Sequence, residues 1–349
     1  AVSAWAPLIP FAKRKLALDD GQLGLMLLCL GVGSVLMMPL AGGLAAQLAY
    51  AGSRGVHLMG FIPEINPNRP QILPGGELFF PETLNRLNPA FGTVAMRRSQ
   101  FDSSYHGLQA SLISPAARRL RFQIKYAWSK SLDNCSSSIY TDFVNSSGVP
   151  TMFNYRANRG RSDFDMRHVL AANFSWALPA PSGGPFKLAL GGWELHATLQ
   201  AQSGTPFNPT VGFDRARLSG ARTNDLSQRP VLLRPSGEGI ILGDPRRWFD
   251  PEAFGLPPAG RLGNLGRNTL EGPGLAAIDV AAHKKFRMSE KLTAVLRLEC
   301  FNAANHPNFQ IPSARTLFDS SGSRTGSAGQ ITSTTTPSRQ IQLALRLEY

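Results

Sequence analysis

Much of the chain alternates apolar and polar residues with a period of two. Its last ten residues, QIQLALRLEY, place an apolar side chain at every second position. Successive side chains of a β-strand point to opposite faces, so this pattern predicts a strand with one apolar and one polar face. About eight segments alternate in this way, as the strands of membrane barrels do. They are 46–51, 104–113, 119–130, 168–178, 192–202, 275–286, 291–301 and 341–349. The sequence therefore predicts an all-β fold.

The connections between these segments alternate between short and long. The short ones are 114–118, 179–191 and 287–290, and the long ones are 53–103, 131–164, 203–272 and 302–337. Tight turns on one side and long loops on the other are typical of an outer-membrane barrel. We therefore predict an antiparallel transmembrane β-barrel segment of about eight strands, part of a larger barrel, with its end on the periplasmic side. A large soluble β-sandwich is the alternative, and it explains the alternation but not the loop lengths.

Aromatic residues lie near the ends of the predicted strands. They are Tyr126, Trp128, Phe174, Trp176, Trp193, Phe286, Phe301 and Tyr349. Membrane barrels carry girdles of aromatic side chains at both membrane interfaces. The positions of these residues therefore favour the barrel over the sandwich.

The beginning of the chain differs from the rest. Residues 23–48 carry no charged side chain, and a run of this length predicts a membrane-spanning α-helix. A signal peptide is the competing interpretation, although the run is long for one. The stretch 5–46 resembles the second transmembrane helix of major facilitator transporters. We therefore expect two parts, an apolar helix over residues 1–46 and a barrel portion over 47–349.

Charge and cysteine content exclude some functions. The 36 Lys and Arg residues exceed the 23 Asp and Glu residues, giving a net charge of +13. The basic residues are scattered and form no aromatic-basic stacking motif, so we expect no nucleic-acid partner. The three cysteines lie far apart without a C-x-x-C motif, which indicates neither a zinc site nor a disulfide framework.

Few residues form a pattern that could support catalysis. Asp163, Asp165 and His168 could hold a metal ion, but short loop aspartates more often hydrogen-bond their own backbone. His306 is interpreted as a turn residue in the same way. The stretch from Gly263 to Gly266 is glycine-rich but lacks the Lys-Ser/Thr of a phosphate-binding loop.

Two pairs on predicted strands complete the candidates. Glu194 with His196, and Arg297 with Glu299, share a strand face, and we interpret them as ion pairs in a polar lumen. We therefore predict that the chain is not an enzyme and has no catalytic, cofactor or metal site.

Several blocks carry a resemblance to one family. They are SYHGLQASL (104–112), FQIKYAWSKSLDN (122–134), RGRSDFDMRHVLAANFSWALP (159–179), GWELHATLQAQSGTPFNPT (192–210), WFDPEAFGLPPAGRLGNLGRNTLEGPG (248–274), LRLECFNAANHPNF (296–309) and the final strand. Together they resemble the C-terminal barrel half of TonB-dependent outer-membrane receptors, in the Oar-like branch. The match runs in consistent order over about residues 47–349.

The resemblance implies a role for the last strand. In that family an alternating strand ending in an aromatic residue is read by the barrel-assembly machinery. The residues in its place here are Ile341, Leu343, Leu345, Leu347 and Tyr349. The implied partners are this machinery, outer-membrane lipid and an unknown ligand bound by the loops 131–164, 203–272 and 302–337.

The family fold is a barrel of roughly 22 strands that holds a plug, and its function is energised ligand uptake. We expect this chain to lack the plug and the TonB-contacting box, so that the TonB complex is a partner only where a plug is present. The implied location is the cell outer membrane. The predicted helix over residues 1–46 is of the inner-membrane type and conflicts with that location. The alternative is a small closed outer-membrane barrel with a structural or adhesive role.

Overall fold

One antiparallel sheet dominates the computed structural model. The structure describes residues 44–114, 119–138, 143, 149–180, 183, 191–219, 228–234 and 239–349. Within them the sheet has eight long strands, each paired with the next along the chain. They are β1 (Ala45–Ile62), β2 (Met96–Ile113), β3 (Leu120–Asp133), β4 (His168–Ala177), β5 (Trp193–Gln202), β6 (Leu275–Arg287), β7 (Thr293–Phe301) and β8 (Gln340–Glu348). The predicted all-β, antiparallel fold is confirmed.

The strand register separates the side chains into two faces. Directly opposed residues of an antiparallel pair lie on the same face. Leu298 of β7 opposes Leu343 of β8 and Ala282 of β6, whereas Glu299 opposes Gln342. The same separation holds on β3 and β4, so one face of the sheet is apolar and the other polar.

The apolar face is open to the surroundings. Ile341 and Leu343 are 70% and 69% exposed, and in the described part of the chain the remaining sheets are small two-stranded pairs in the connections. The alternative β-sandwich is therefore wrong, because its second sheet would cover these side chains. Each long strand has between 9 and 18 residues, which matches the length needed to cross a bilayer.

Aromatic residues mark both ends of the apolar face. We call the end of the sheet with the long connections the loop end and the other the turn end. Towards the loop end, Tyr50 stacks on His106 and Tyr126 on His168, with hydrogen bonds of 2.6 and 2.7 Å between the hydroxyl and Nδ1 of each pair. At the turn end, Trp176 lies on the apolar face opposite Leu120. This arrangement fits two interfacial girdles.

The long connections contain short elements of their own. Two-stranded pairs form between Gln71–Ile72 and Leu78–Phe79, Val231–Leu232 and Phe254–Gly255, Ile241–Asp244 and Arg247–Phe249, and Pro206–Phe207 and Leu270–Glu271. Gly160–Arg161 pairs with β3, and 3-10 helices span Met152–Asn158 and Pro251–Ala253. The long connections therefore contain secondary structure of their own, which alternation alone did not predict.

Two predicted boundaries need correction. Ala45 and Ala46, predicted as the end of a helix, belong to β1, because they pair with Ile113 and Leu112. The rest of the predicted helix lies outside the described residues. β1 and β2 also run to Ile62 and from Met96, so 53–62 and 96–103 are strand instead of loop. None of the helices in the described residues is both long and apolar enough to cross a membrane.

Candidate functional site

The four long connections meet at the loop end of the sheet. They join β1 to β2, β3 to β4, β5 to β6 and β7 to β8, and we call their described residues the loop layer. Because neighbouring antiparallel strands place these connections at the same edge, segments distant in sequence come together there. This layer is the candidate functional site.

A hydrophobic core lies inside the loop layer. It joins the connection after β5 to the connection after β7, and Phe207, Phe249 and Phe254 are fully buried in it. Its further members are Val211, Ile240, Ala253, Leu265, Leu270, Ile311, Leu317, Phe318 and Ala328. Burial of a large apolar side chain contributes about 1.5–3 kcal/mol, so these two connections stabilise one another.

A buried ionic cluster ties the loop layer to the sheet. The side chain of Arg267 has no exposed surface and contacts the carboxylate of Asp133, the last residue of β3. Its Nη1 also lies 3.6 Å from Oδ1 of Asp163. Asn268 donates to the same Asp163 oxygen at 2.7 Å and accepts from Asn208 at 3.0 Å. The cluster therefore connects the loops after β3 and β5.

Backbone geometry allows this close approach. Gly160 lies where a β-carbon would stand 2.5 Å from the carbonyl oxygen of Arg267, a distance that no side chain tolerates. Asn268 adopts a φ of 54°, a left-handed conformation that Asn accepts more readily than most residues. The local sequences around both residues are thus suited to the contact.

Asp165 fixes the backbone just before β4 by bonding to neighbouring segments. Its Oδ1 accepts a hydrogen bond of 2.6 Å from the backbone of Ser131, and its Oδ2 pairs with Arg161 at 2.7 Å. Asp163 and Asp165 therefore bond neighbouring elements more than their own backbone. His168 stacks on Tyr126 away from them, and among the described residues no group of His, Cys, Asp and Glu is arranged to hold a metal ion.

A cleft opens into the loop layer beside these clusters. Its volume is about 310 Å³, and we call it the Arg229 cleft. Its walls are residues 76–78, the 3-10 helix Met152–Asn158 with the two residues before it, and the glycine-rich stretch 262–266. Arg229 lies in its floor, donating from Nε to the Leu265 carbonyl at 2.8 Å and from Nη1 to Asn158 at 2.7 Å.

The electrostatics of the loop layer favour negative charge at this point. Burial, and secondarily the charge of Arg267, lower the pKa of Arg229 to about 10. Arg229 remains charged at neutral pH. Burial lowers the pKa of a cation when no nearby negative charge offsets the lost hydration. The charge of Arg229 is therefore poorly compensated.

The polar face of the sheet carries a row of interacting groups. Glu194 accepts from Ser175 at 2.8 Å and contacts Arg121, while its distance to His196 is 3.9 Å. The rings of His196 and His283 lie 4.4 Å apart. The row extends across β3, β4, β5 and β6.

One predicted ion pair is wrong. Glu299 lies 3.7 Å from Nε2 of His283, and Arg297 forms no ion pair with it among the described residues. His283 directly opposes Arg297 on the neighbouring strand, so Glu299 reaches the His283 ring diagonally across the strand pair. His306 follows the turn at residues 302–304, and its backbone N–H donates to Oδ1 of Asn302 at 3.0 Å.

The predicted barrel-assembly residues lie on β8 and just after it. Leu345 and Leu347 oppose Leu296 and Ala294 on the apolar face. Tyr349 is 104% exposed and follows Glu348, which opposes the first residue of β7 at the turn end. Their role in assembly remains a prediction.

Sequence reasoning did not single out Arg229 or Arg267. Arg267 stands directly after the glycine-rich stretch that was considered as a phosphate-binding loop. A basic residue within a Gly-Asn-rich segment is a weak signal, and nothing in the sequence pairs it with Asp133. Only the packing of the loop layer brings these residues together.

Comparison with known proteins places the chain in a family. Residues 38–342 match a family model described as an outer membrane beta barrel domain. Over 58 residues, 17% of this chain and 14% of the relative, it is 53% identical to an uncharacterised MFS-type transporter of Yersinia pestis. The outer membrane transporter YddB of Escherichia coli aligns with 87% of this chain and 30% of its own, at 10% identity and a TM-score of 0.40.

The chain spans less than a third of the length of either relative. The family model, in contrast, covers most of the chain, including the first seven long strands and the beginning of β8. The two-faced antiparallel sheet, the alternation of short and long connections and the exposed apolar face agree with that match. The chain therefore belongs to the outer membrane beta barrel domain family.

Proposed function

We propose that the chain is the C-terminal barrel portion of a TonB-dependent outer-membrane receptor of the Oar-like branch, whose loop layer binds a ligand for energised uptake. The observation that carries the proposal is the ordered loop layer at one end of a two-faced sheet. Membership of the outer membrane beta barrel domain family supports the outer membrane as its location.

The construction of the loop layer supports a binding role. Its charged cluster around Arg267 is removed from water, and burying charges costs free energy even when they are paired. Such a cluster fixes the loops in one arrangement. A surface fixed before binding loses less conformational entropy when a ligand arrives, and loops held on a rigid scaffold are where binding residues concentrate.

The proposal also concerns partners. Outer-membrane lipid would contact the apolar face, and the barrel-assembly machinery would read β8 and Tyr349. The TonB complex would act only where a plug is present. No catalytic step is assigned to the chain.

The alternative, a small closed barrel with a structural or adhesive role, has less support. A closed eight-stranded barrel needs a ladder between β1 and β8. Within the described residues these two strands are the ends of the sheet order. No contact in the loop layer favours an adhesive role over ligand binding.

Uptake is tested in the bacterium that carries the gene. Depletion of medium components by intact cells is followed by mass spectrometry in four strains: wild type, a deletion of this gene, a deletion of the TonB complex, and both. We expect the first deletion to abolish depletion of a small set of compounds. The TonB deletion should abolish depletion of the same set, with no further loss in the double deletion. Depletion that requires the gene but not the TonB complex would contradict the proposal.

A further inference from the structure

Arg229 differs from the buried Arg267 and from the half-buried Arg161 and Arg86 of the loop layer. Arg267 contacts two carboxylates, Arg161 pairs with Asp165 at 2.7 Å, and Arg86 pairs with Glu64 at 3.3 Å. Arg229 is only 8% exposed, yet its hydrogen-bond acceptors among the described residues are a carbonyl and an amide oxygen. Its charge therefore has no anionic partner there.

The free part of the Arg229 guanidinium faces the cleft. Nε and Nη1 are held by Leu265 and Asn158, while Nη2 makes no hydrogen bond to a described residue. Nη2 is not among the fully enclosed unsatisfied atoms of the described residues either. Because Arg229 lines the cleft, Nη2 presents its two N–H donors to that space.

Neighbouring residues fix the position of this donor. Asn158 is 1% exposed and donates to the Asn134 carbonyl at 2.7 Å while its own oxygen accepts from Arg229. The guanidinium plane is therefore held from two sides. A donor that is already oriented loses little entropy on binding a planar acceptor.

The walls of the cleft leave room for a small ligand. Gly76, Gly263 and Gly266 contribute no side chains, and Thr151 and Asn154 contribute polar ones. The volume of about 310 Å³ is at the lower end of the range for small-molecule sites. The space suits a small molecule or the end of a larger one.

We infer that the Arg229 cleft binds a ligand bearing a carboxylate, which pairs with the Arg229 guanidinium. One guanidinium neutralises one carboxylate, whereas a phosphate with nearly two charges would keep an excess of negative charge in the cleft. Glu77 also lines the cleft, with its carboxylate bridged to Arg261 at 3.0 Å, and disfavours that excess. The inference deepens the proposed ligand-binding role of the loop layer and rests on it for its biological meaning.

The test uses the full chain refolded in detergent. Butyrate, neutral butyramide of similar size, and inorganic phosphate are titrated by calorimetry at pH 7 and constant ionic strength. We expect butyrate to bind and butyramide not to bind. Arg229→Gln should weaken butyrate binding at least tenfold. Arg246→Gln, which removes an equal charge from an exposed site, should leave it unchanged.

A second variant keeps the test decisive if Arg229→Gln fails to fold. Ala157 is exposed and lines the cleft, so Ala157→Trp fills the space without removing a contact of Arg229. It should abolish butyrate binding. The inference is overturned if butyrate does not bind, if a folded variant of either kind binds it as the wild type does, or if phosphate binds more tightly. Binding to the refolded chain requires no TonB complex, so its failure is distinguishable from a failure of energised uptake.

Discussion

At the position of Arg267, a guanidinium with no exposed surface lies between the carboxylates of Asp133 and Asp163. The positive charge of Arg267 therefore pairs with one carboxylate at the end of β3 and with another in the loop that follows it. Asn268 extends the contact to Asp163, which is 105 positions away along the chain. The sequence identified Asp163 as noteworthy, but no local pattern could specify a partner at that separation.

Replacement of Arg267 should release the loop layer. Arg267→Met removes the cation that contacts the buried carboxylate of Asp133, and loss of one partner of a buried ion pair costs about 3–5 kcal/mol. We expect faster hydrogen exchange in residues 203–274 with little change in the strands. Arg246→Met, at an exposed site, is the matched control. Unchanged exchange in both variants would mean that the cluster does not hold the loops.

Cys135 provides a second probe of the same region. Burial is the main cause that raises the pKa of its thiol, so the folded thiol stays protonated at a pH where an exposed thiol has begun to ionise. Since the thiolate is the reactive form, alkylation by iodoacetamide at pH 8 should be slower than in the urea-unfolded chain. Equal rates, measured by mass spectrometry of the Cys135 peptide, would show an open loop layer.

At the scale of elements, periodicity located all eight long strands but not how far β1 and β2 extend at the loop end. Alternation is strong where one face of the sheet is apolar and exposed, and it fades in 53–62 and 96–103, where β1 and β2 continue into the loop layer. There Phe101 is buried against Ile62 and Cys135. Strand length beyond the apolar zone depends on such tertiary contacts, so a period-two pattern does not report it.

The two faces of β8 should respond in opposite ways to charge. Leu343 lies on the apolar face opposite Leu298, and Gln342 on the polar face opposite Glu299. Leu343→Arg places a charge against lipid, which costs about 2–4 kcal/mol near the membrane midplane. Gln342→Arg should cost far less, because it faces a carboxylate. Refolding into lipid vesicles under increasing urea measures both, and equal losses would mean that the apolar face is not the lipid face.

Tyr349 allows assembly to be separated from stability. Its side chain is fully exposed, so Tyr349→Ala removes almost no packing from the folded chain. If the barrel-assembly machinery reads this residue, the variant should reach the outer membrane several-fold less, while refolding in detergent is unchanged. Tyr349→Phe keeps the aromatic ring and serves as the control. Normal outer-membrane levels of Tyr349→Ala in cell fractionation would remove Tyr349 from the assembly signal.

At the scale of the whole molecule, a sheet and a loop layer are built on different principles. The sheet follows from alternation and from connections to sequence neighbours, so the sequence was sufficient to predict it. The loop layer depends on the hydrophobic core around Phe249 and on the Arg267 cluster, both of which join connections distant in sequence. The sequence could place the ligand-binding surface in the loops, but not the Arg229 cleft within them.

The state of the two end strands tests the architecture of the whole molecule. If the chain is part of a larger barrel, β1 and β8 do not pair with each other. Cysteines at Ala49 of β1 and at Gln342, Ala344 or Arg346 of β8 should then give no intramolecular cross-link with a short bis-maleimide, in a chain whose three native cysteines are replaced by alanine.

The control pair comes from the same sheet. Ala49 and Gln109 oppose each other on β1 and β2, so cysteines at these two positions must cross-link in any folded chain. Efficient cross-linking of one of the β1–β8 pairs, together with a heat-shifted gel mobility, would instead establish a closed eight-stranded barrel. Because closure would leave no room in so narrow a barrel for a plug, that outcome would also remove energised uptake and leave the structural or adhesive role.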